Sequence, residues 1–124
     1  MADEKVLRLL RRLHERTSSG QLQWTKTVVD GVYQASFPEY AVKVRPGEGG
    51  FDGPREFVME IYDDDGVLIE RVLDSDFGEH EGVAYKLLSG IYTIARRQAM
   101  GLDRAIDKIL DELGPVGDVD DTPF

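Results

Sequence analysis

Three consecutive aspartates, residues 63–65, stand directly before Gly66, and clustered carboxylates of this kind suit a hard cation such as Ca²⁺. If Gly66 is aligned with the glycine of the calcium-loop pattern D-x-[DN]-x-[DN]-G-x₅-E, the first and last ligand positions fall on Ile61 and Val72. Neither side chain can coordinate a cation. The spacing therefore predicts a β-hairpin turn at this point rather than a metal site.

The other side chains that could carry chemistry lack the spacing that their chemistry needs. The two histidines, His14 and His80, are far apart in the sequence, and neither belongs to an HExxH zinc motif. The chain has no cysteine and no G-x-S-x-G nucleophile motif, and the glycines of residues 46–54 precede no Lys-Ser or Lys-Thr pair of a phosphate-binding loop. We therefore expect no metal and no cofactor, and an enzyme is the less favoured hypothesis.

The length and the net charge of the chain disfavour several classes of function. The chain has 124 residues, with 15 basic and 24 acidic side chains and a formal net charge of −9. This length predicts one domain over residues 1–114, followed by a flexible acidic tail at 115–124. The negative charge opposes binding to nucleic acid and to anionic membranes. Because the chain starts with charged residues and has no apolar run of 18, we expect a cytoplasmic protein with no membrane partner.

Apolar residues recur first at helical and then at alternating spacing, and the order of these patterns predicts the fold. Helical spacing covers residues 3–17 and residues 82–113, where Gly101 leaves open one kinked helix or two. Between these segments, alternating runs are joined by hairpin turns such as Asp30-Gly31. We predict a two-layer α+β fold. In it, an N-terminal helix and one or two C-terminal helices pack on one face of an antiparallel β-meander of four or five strands.

Three local expectations follow from the same patterns. Residues 74–82 should form a polar loop, and Asp103 should cap the helical segment that follows Gly101. Aromatic residues of the first strands should lie in the core rather than form a platform for bases. These residues are Trp24, Tyr33, Phe37 and Tyr40.

Two charged surfaces are the features most able to select a partner. The first is a basic stripe on the first helix, formed by Lys5, Arg8, Arg12 and Arg16. It could be a solvated face, pair with the acidic C-terminal segment within or between subunits, or bind an anionic ligand or nucleic acid. The second is an acidic surface that would suit a basic protein partner or would serve solubility alone. Its members are Asp63, Asp64, Asp65, Asp74, Asp76, Glu79 and Glu81.

These observations favour a non-catalytic protein-interaction module of an adaptor, chaperone-like or immunity-like kind. Small size, acidity and mixed α+β content are shared with secretion chaperones and immunity proteins, an analogy that transfers no residue role. The alternative is a small-molecule-binding or enzymatic domain, with a cleft between sheet and helices lined by Trp24, Tyr33 and Tyr85. A third hypothesis is a homodimer formed through sheet residues such as Val58 and Tyr62.

Overall fold

The structure, a computed structural model, describes residues 4–47 and 56–115. It confirms the mixed α+β fold, with five strands in the sheet order β1-β2-β3-β4-β5 and every neighbouring pair antiparallel. The elements are α1 (Glu4–Ser18), β1 (Thr25–Lys26), β2 (Tyr33–Ser36), β3 (Tyr40–Pro46), β4 (Phe57–Asp63), β5 (Leu68–Leu73), a 3₁₀ helix (Asp74–His80), α2 (Glu81–Ala99) and α3 (Leu102–Leu113). The predicted tail lies, apart from Pro115, outside the described residues.

One face of the sheet carries the core, because strand register collects its apolar side chains on that face. A row in register across four strands is buried at the centre of this face: Tyr33, Val44, Met59 and Val72. From the helices, Leu10, Leu88 and Ile91 join the same core and are fully buried. Burial of this apolar surface, at roughly 25 cal/mol per Å², is the main term that stabilises the fold.

Trp24, which precedes β1, is hydrogen-bonded to residues of α1 and α2. Its indole Nε1 donates a hydrogen bond of 3.0 Å to the Thr17 hydroxyl, and its backbone N–H donates one of 3.0 Å to the Gln98 side chain. Trp24 and Tyr33 are buried, which confirms their placement in the core. For Phe37 and Tyr40 that placement is wrong, because both flank the turn between β2 and β3 and are exposed.

Three further local predictions need correction. Residues 74–80 form a 3₁₀ helix rather than a loop, and it buries Phe77, a single apolar residue whose isolation gave no periodic signal. Asp103 does not cap α3, because Gly101 occupies the position before the helix with a left-handed φ of 70°. Val58 is buried rather than exposed, although it lies on the sheet face opposite the core, so it offers no surface for a dimer.

The two C-terminal helices differ in what they cover. α2 packs against the sheet and against α1, whereas α3 follows it after the break at Met100 and Gly101. The two-helix alternative for residues 82–113 is therefore the observed one. α3 contacts α2, and none of its twelve residues is buried within the described chain.

α1 and α2 approach closely at Gly90. A Cβ added at Gly90 would lie 2.8 Å from Nε2 of His14 and 3.0 Å from its Cδ2. These distances are shorter than ordinary van der Waals contacts, so the imidazole ring occupies the space that a side chain would need. The absence of a side chain at residue 90 is thus what lets the two helices pack here.

We predict that the effect of Gly90→Ala depends on His14. Alanine is favoured over glycine in a helix interior by about 1 kcal/mol, but here that gain is offset by displacement of the imidazole ring. In a His14→Ala background, the Gly90→Ala change should therefore raise the free energy of unfolding by about 1 kcal/mol more than it does in the wild-type chain. Urea denaturation of the four proteins measures this coupling, and an equal effect in both backgrounds would contradict the contact.

Candidate interaction surfaces

The aspartates of residues 63–65 form the turn of the β4–β5 hairpin. Oδ1 of Asp63 accepts hydrogen bonds of 2.9 Å from the backbone N–H groups of Asp65 and Val67, and Gly66 takes a φ of 83°. One carboxylate oxygen from each aspartate lies within 4.8 Å of the others. The three aspartates therefore lie in a β-hairpin turn, as the sequence predicted.

The other members of the predicted acidic surface lie beyond the far end of β5. Asp74 is buried and accepts a 2.8 Å hydrogen bond from the N–H of Phe57, and Asp76 accepts one of 2.9 Å from the N–H of Leu73. Both carboxylates thus serve the local fold, whereas Glu79 and Glu81 are exposed. Six residues of strand, about 20 Å, separate this group from the hairpin, so the structure does not bring the seven acidic residues together.

The outer face of the sheet, opposite the core, carries a charged cluster that sequence reasoning missed. Its centre is Glu60, which is 5% exposed and lies directly between Lys43 and Arg71 in the strand register. Glu60 accepts hydrogen bonds from Arg71 Nε at 3.0 Å, from Arg45 Nη2 at 3.2 Å and from the Tyr62 hydroxyl at 2.9 Å. The ammonium of Lys43 lies 4.5 Å from the centre of the Tyr62 ring.

The pKa values in this cluster follow from its contacts. Burial alone would raise the pKa of Glu60, but the hydrogen bonds from Tyr62, Arg71 and Arg45 outweigh it and hold that pKa below its ordinary value. Burial and the hydrogen bond to Glu60 both raise the pKa of Tyr62. The carboxylate therefore stays ionised and holds the two arginines over the outer face of the sheet.

The aromatic residues assigned to a possible ligand cleft are packed against other side chains. Trp24 and Tyr33 are 2% and 4% exposed, and the centre of the Tyr33 ring lies 5.5 Å from that of Tyr92, with the two ring planes tilted by 50°. Tyr85 is partly exposed, and its ring lies 5.6 Å from that of Phe57. These three residues thus belong to the core or its border in the described chain.

The basic stripe borders an apolar groove between α1 and the β2–β3 turn. The groove has a volume of about 360 Å³, and its apolar walls are Leu9, Leu13, Leu22 and Phe37. Arg12 and Arg16 line its edge. Among the described residues, no carboxylate forms an ion pair with any of the four cations of the stripe.

The apolar face of α3 is open to solvent. Its large side chains are Ile106, Ile109, Leu110 and Leu113, which are 43%, 58%, 57% and 73% exposed. They fall at positions i, i+3, i+4 and i+7, which places them on one side of the helix. The sequence shows this periodicity plainly, but it does not show that the face would be left uncovered.

No family model, curated protein or solved structure matches this chain. No helix in the described ranges is both long and apolar enough to cross a membrane. Function must therefore be argued from the surfaces themselves.

From the lowered pKa of Glu60, we predict how the free energy of unfolding changes in acid. A carboxylate whose pKa is lower in the folded than in the unfolded chain stabilises the fold above the unfolded value, and that contribution is lost as the pH falls through the folded value. We expect Glu60→Gln to cost about 1–2 kcal/mol at pH 7, because the two arginines lose an ionised acceptor. The difference should shrink as the pH falls below about 4.3.

Urea denaturation between pH 3 and pH 7 measures this dependence. The matched control is Glu70→Gln, which removes an exposed carboxylate from the neighbouring strand. A constant difference between wild-type and Glu60→Gln proteins over the whole range would show that ionised Glu60 does not stabilise the fold.

Proposed function

We propose that this chain is a non-catalytic protein-interaction module and that α3 is its binding element. The observation that carries the proposal is the exposure of four large apolar side chains on one face of a twelve-residue helix. Single exposed apolar residues are common on protein surfaces, but a contiguous apolar face is typical of an interaction site.

The arrangement of α3 matches a known mode of recognition. Amphipathic helices bind in apolar grooves through anchors at i, i+3, i+4 and i+7, the positions that Ile106, Ile109, Leu110 and Leu113 occupy. Complete burial of such a side chain contributes roughly 1.5–3 kcal/mol relative to full exposure. Four half-exposed anchors can thus supply most of the favourable energy of a stable complex.

The charges of α3 define the chemistry of its partner. Asp103, Asp107 and Asp111 recur every four residues along the helix, and α3 as a whole carries four acidic and two basic side chains, a net charge of −2. A groove with a basic edge would therefore be favoured over an acidic one. The sequence suggested a basic protein partner for the acidic surface of residues 63–65, 74, 76, 79 and 81, and we propose one for α3 instead.

The proposal predicts that α3 anchors affect binding and not folding. Replacement of both Ile109 and Leu110 by serine should change the free energy of unfolding of the isolated monomer by less than about 1 kcal/mol, because both side chains are largely exposed. The same change should abolish the complex. Urea denaturation in dilute protein tests the first statement.

A photo-crosslinking residue placed at Leu113 tests the second statement. In a native lysate it should form one dominant protein adduct, which the double serine variant of residues 109 and 110 should lose. The matched control places the crosslinker at Arg96, an exposed position on α2. Equal labelling from both positions, or an adduct that survives the serine changes, would contradict binding through α3.

A further inference from the structure

We infer that α3 binds the groove beside α1 in a second copy of the chain, so that two copies form a symmetric dimer by exchanging their α3 contacts. The inference rests on the proposed function, because it names the partner of the same helix face.

The apolar surfaces are complementary. The groove between α1 and the β2–β3 turn is concave, with a volume of about 360 Å³ and walls formed by leucines and Phe37. The face of α3 is convex and carries isoleucine and leucine side chains. Each surface leaves apolar side chains in contact with water in the single chain, and contact between them removes both from water.

The charges are complementary as well. α1 carries five basic and two acidic side chains, a net charge of +3, in a protein whose total charge is −9. α3 has a net charge of −2. Within the described ranges, neither Arg8, Arg12 and Arg16 of α1 nor the three aspartates of α3 form an ion pair. The charged groups of both rows are thus available to pair with a second molecule.

Each of the two charged rows lies at an angle to the apolar surface that it borders. Arg8, Arg12 and Arg16, like the aspartates at 103, 107 and 111, recur every four residues, a step of about 6 Å along the helix and about 40° around it. Along each helix, the charged row therefore rotates away from the apolar surface that it borders at one end. Arg16 and Arg12 line the groove, so on α1 the row is nearest the apolar surface at its C-terminal end.

On α3 the row is nearest the apolar face at its N-terminal end. The rotation per residue places Asp103 beside the edge of that face formed by Leu110, and Asp111 on the opposite side of the helix. Asp103 is therefore the aspartate of α3 best placed to meet the arginines that line the groove.

A second copy, rather than the same chain, supplies α3, because in the described chain α3 does not line the groove and its apolar side chains are exposed. His14 lies against Gly90, so one side of α1 faces α2, and the groove lies on the other side. α3 continues from α2, and its first turn lines a cavity together with Thr17 and Ser18 at the end of α1. Two chains related by a twofold axis would use both surfaces of each chain and leave neither exposed.

The test uses a pair of charge-reversed variants, Arg12→Glu with Arg16→Glu on α1 and Asp103→Lys with Asp107→Lys on α3. Wild-type protein should be dimeric in light scattering, and each variant alone should show a dissociation constant at least about tenfold higher. An equimolar mixture of the two variants should form heterodimers, because both contacts then join opposite charges. Circular dichroism of each variant confirms that α3 is still helical.

The matched controls change charges on the same helices away from the paired rows. They are Arg11→Glu on α1 and Lys108→Glu on α3, and both should dimerise as the wild-type protein does. Wild-type protein that stays monomeric up to about 0.5 mM would overturn the inference. So would a mixture of reversed variants that stays monomeric, or an α1-reversed variant that dimerises fully, which would indicate α3–α3 contact.

The crosslinker at Leu113 separates failure of this inference from failure of the proposed function. Adducts with a second copy support both. An adduct with a different protein, from a chain that stays monomeric, overturns the dimer and leaves α3 as a binding element. If neither kind of adduct forms, both proposals are wrong.

Discussion

The fold depends on the burial of one sheet face, and two helices are enough to bury it. The central row of the meander, from Tyr33 to Val72, lies under side chains of α1 and α2, and these helices pack closely because residue 90 has no side chain. A third helix is not needed to keep water from this core. Within the described residues, the apolar face of α3 takes no part in covering this core, and we propose that another molecule covers it.

The outer face of the sheet, which none of the described helices covers, carries the charged cluster centred on Glu60. Glu60 lies among Arg45, Arg71 and Tyr62, and its pKa is kept low by their hydrogen bonds although burial acts in the opposite direction. The cluster holds long charged side chains flat over the sheet, and aliphatic stems of this kind can shield apolar neighbours. Val58, beside Arg45 in the register, is buried on this face without contributing to the main core.

Much of the fold could be predicted from the sequence because local rules determine it. The Asp30-Gly31 turn and the 63–66 turn each join antiparallel strands, and helical periodicity located α1 and the break at Gly101. Predictions failed where burial depends on distant residues. Phe77 stands alone in a polar run, and Val58 has the alternation of an exposed residue, so neither position signals its burial in the sequence.

The candidate interaction surfaces could also be predicted only in part, because a sequence pattern does not show what covers a surface. The spacing of Ile106, Ile109, Leu110 and Leu113 identifies an apolar helix face, but it is identical whether that face meets the sheet, another chain or water. Likewise, the basic stripe was visible from Lys5 to Arg16, while the groove beside it is formed by Leu22 and Phe37, which come from later segments. Only three-dimensional placement shows that, within the described ranges, α3 does not line the groove and its apolar face is exposed.

The overall charge bears on whether these surfaces could bring two copies together selectively. Two molecules with a charge of −9 repel each other at long range, which opposes unspecific association of the apolar faces. At physiological ionic strength this repulsion is screened beyond about 8 Å, whereas charges in direct contact are screened far less. Docking of α3 in the groove would place acidic side chains against α1, which has a net charge of +3. Docking of α3 on an acidic surface of the second copy would instead bring carboxylates together, so the charge of the protein would favour the groove beside α1 over such surfaces.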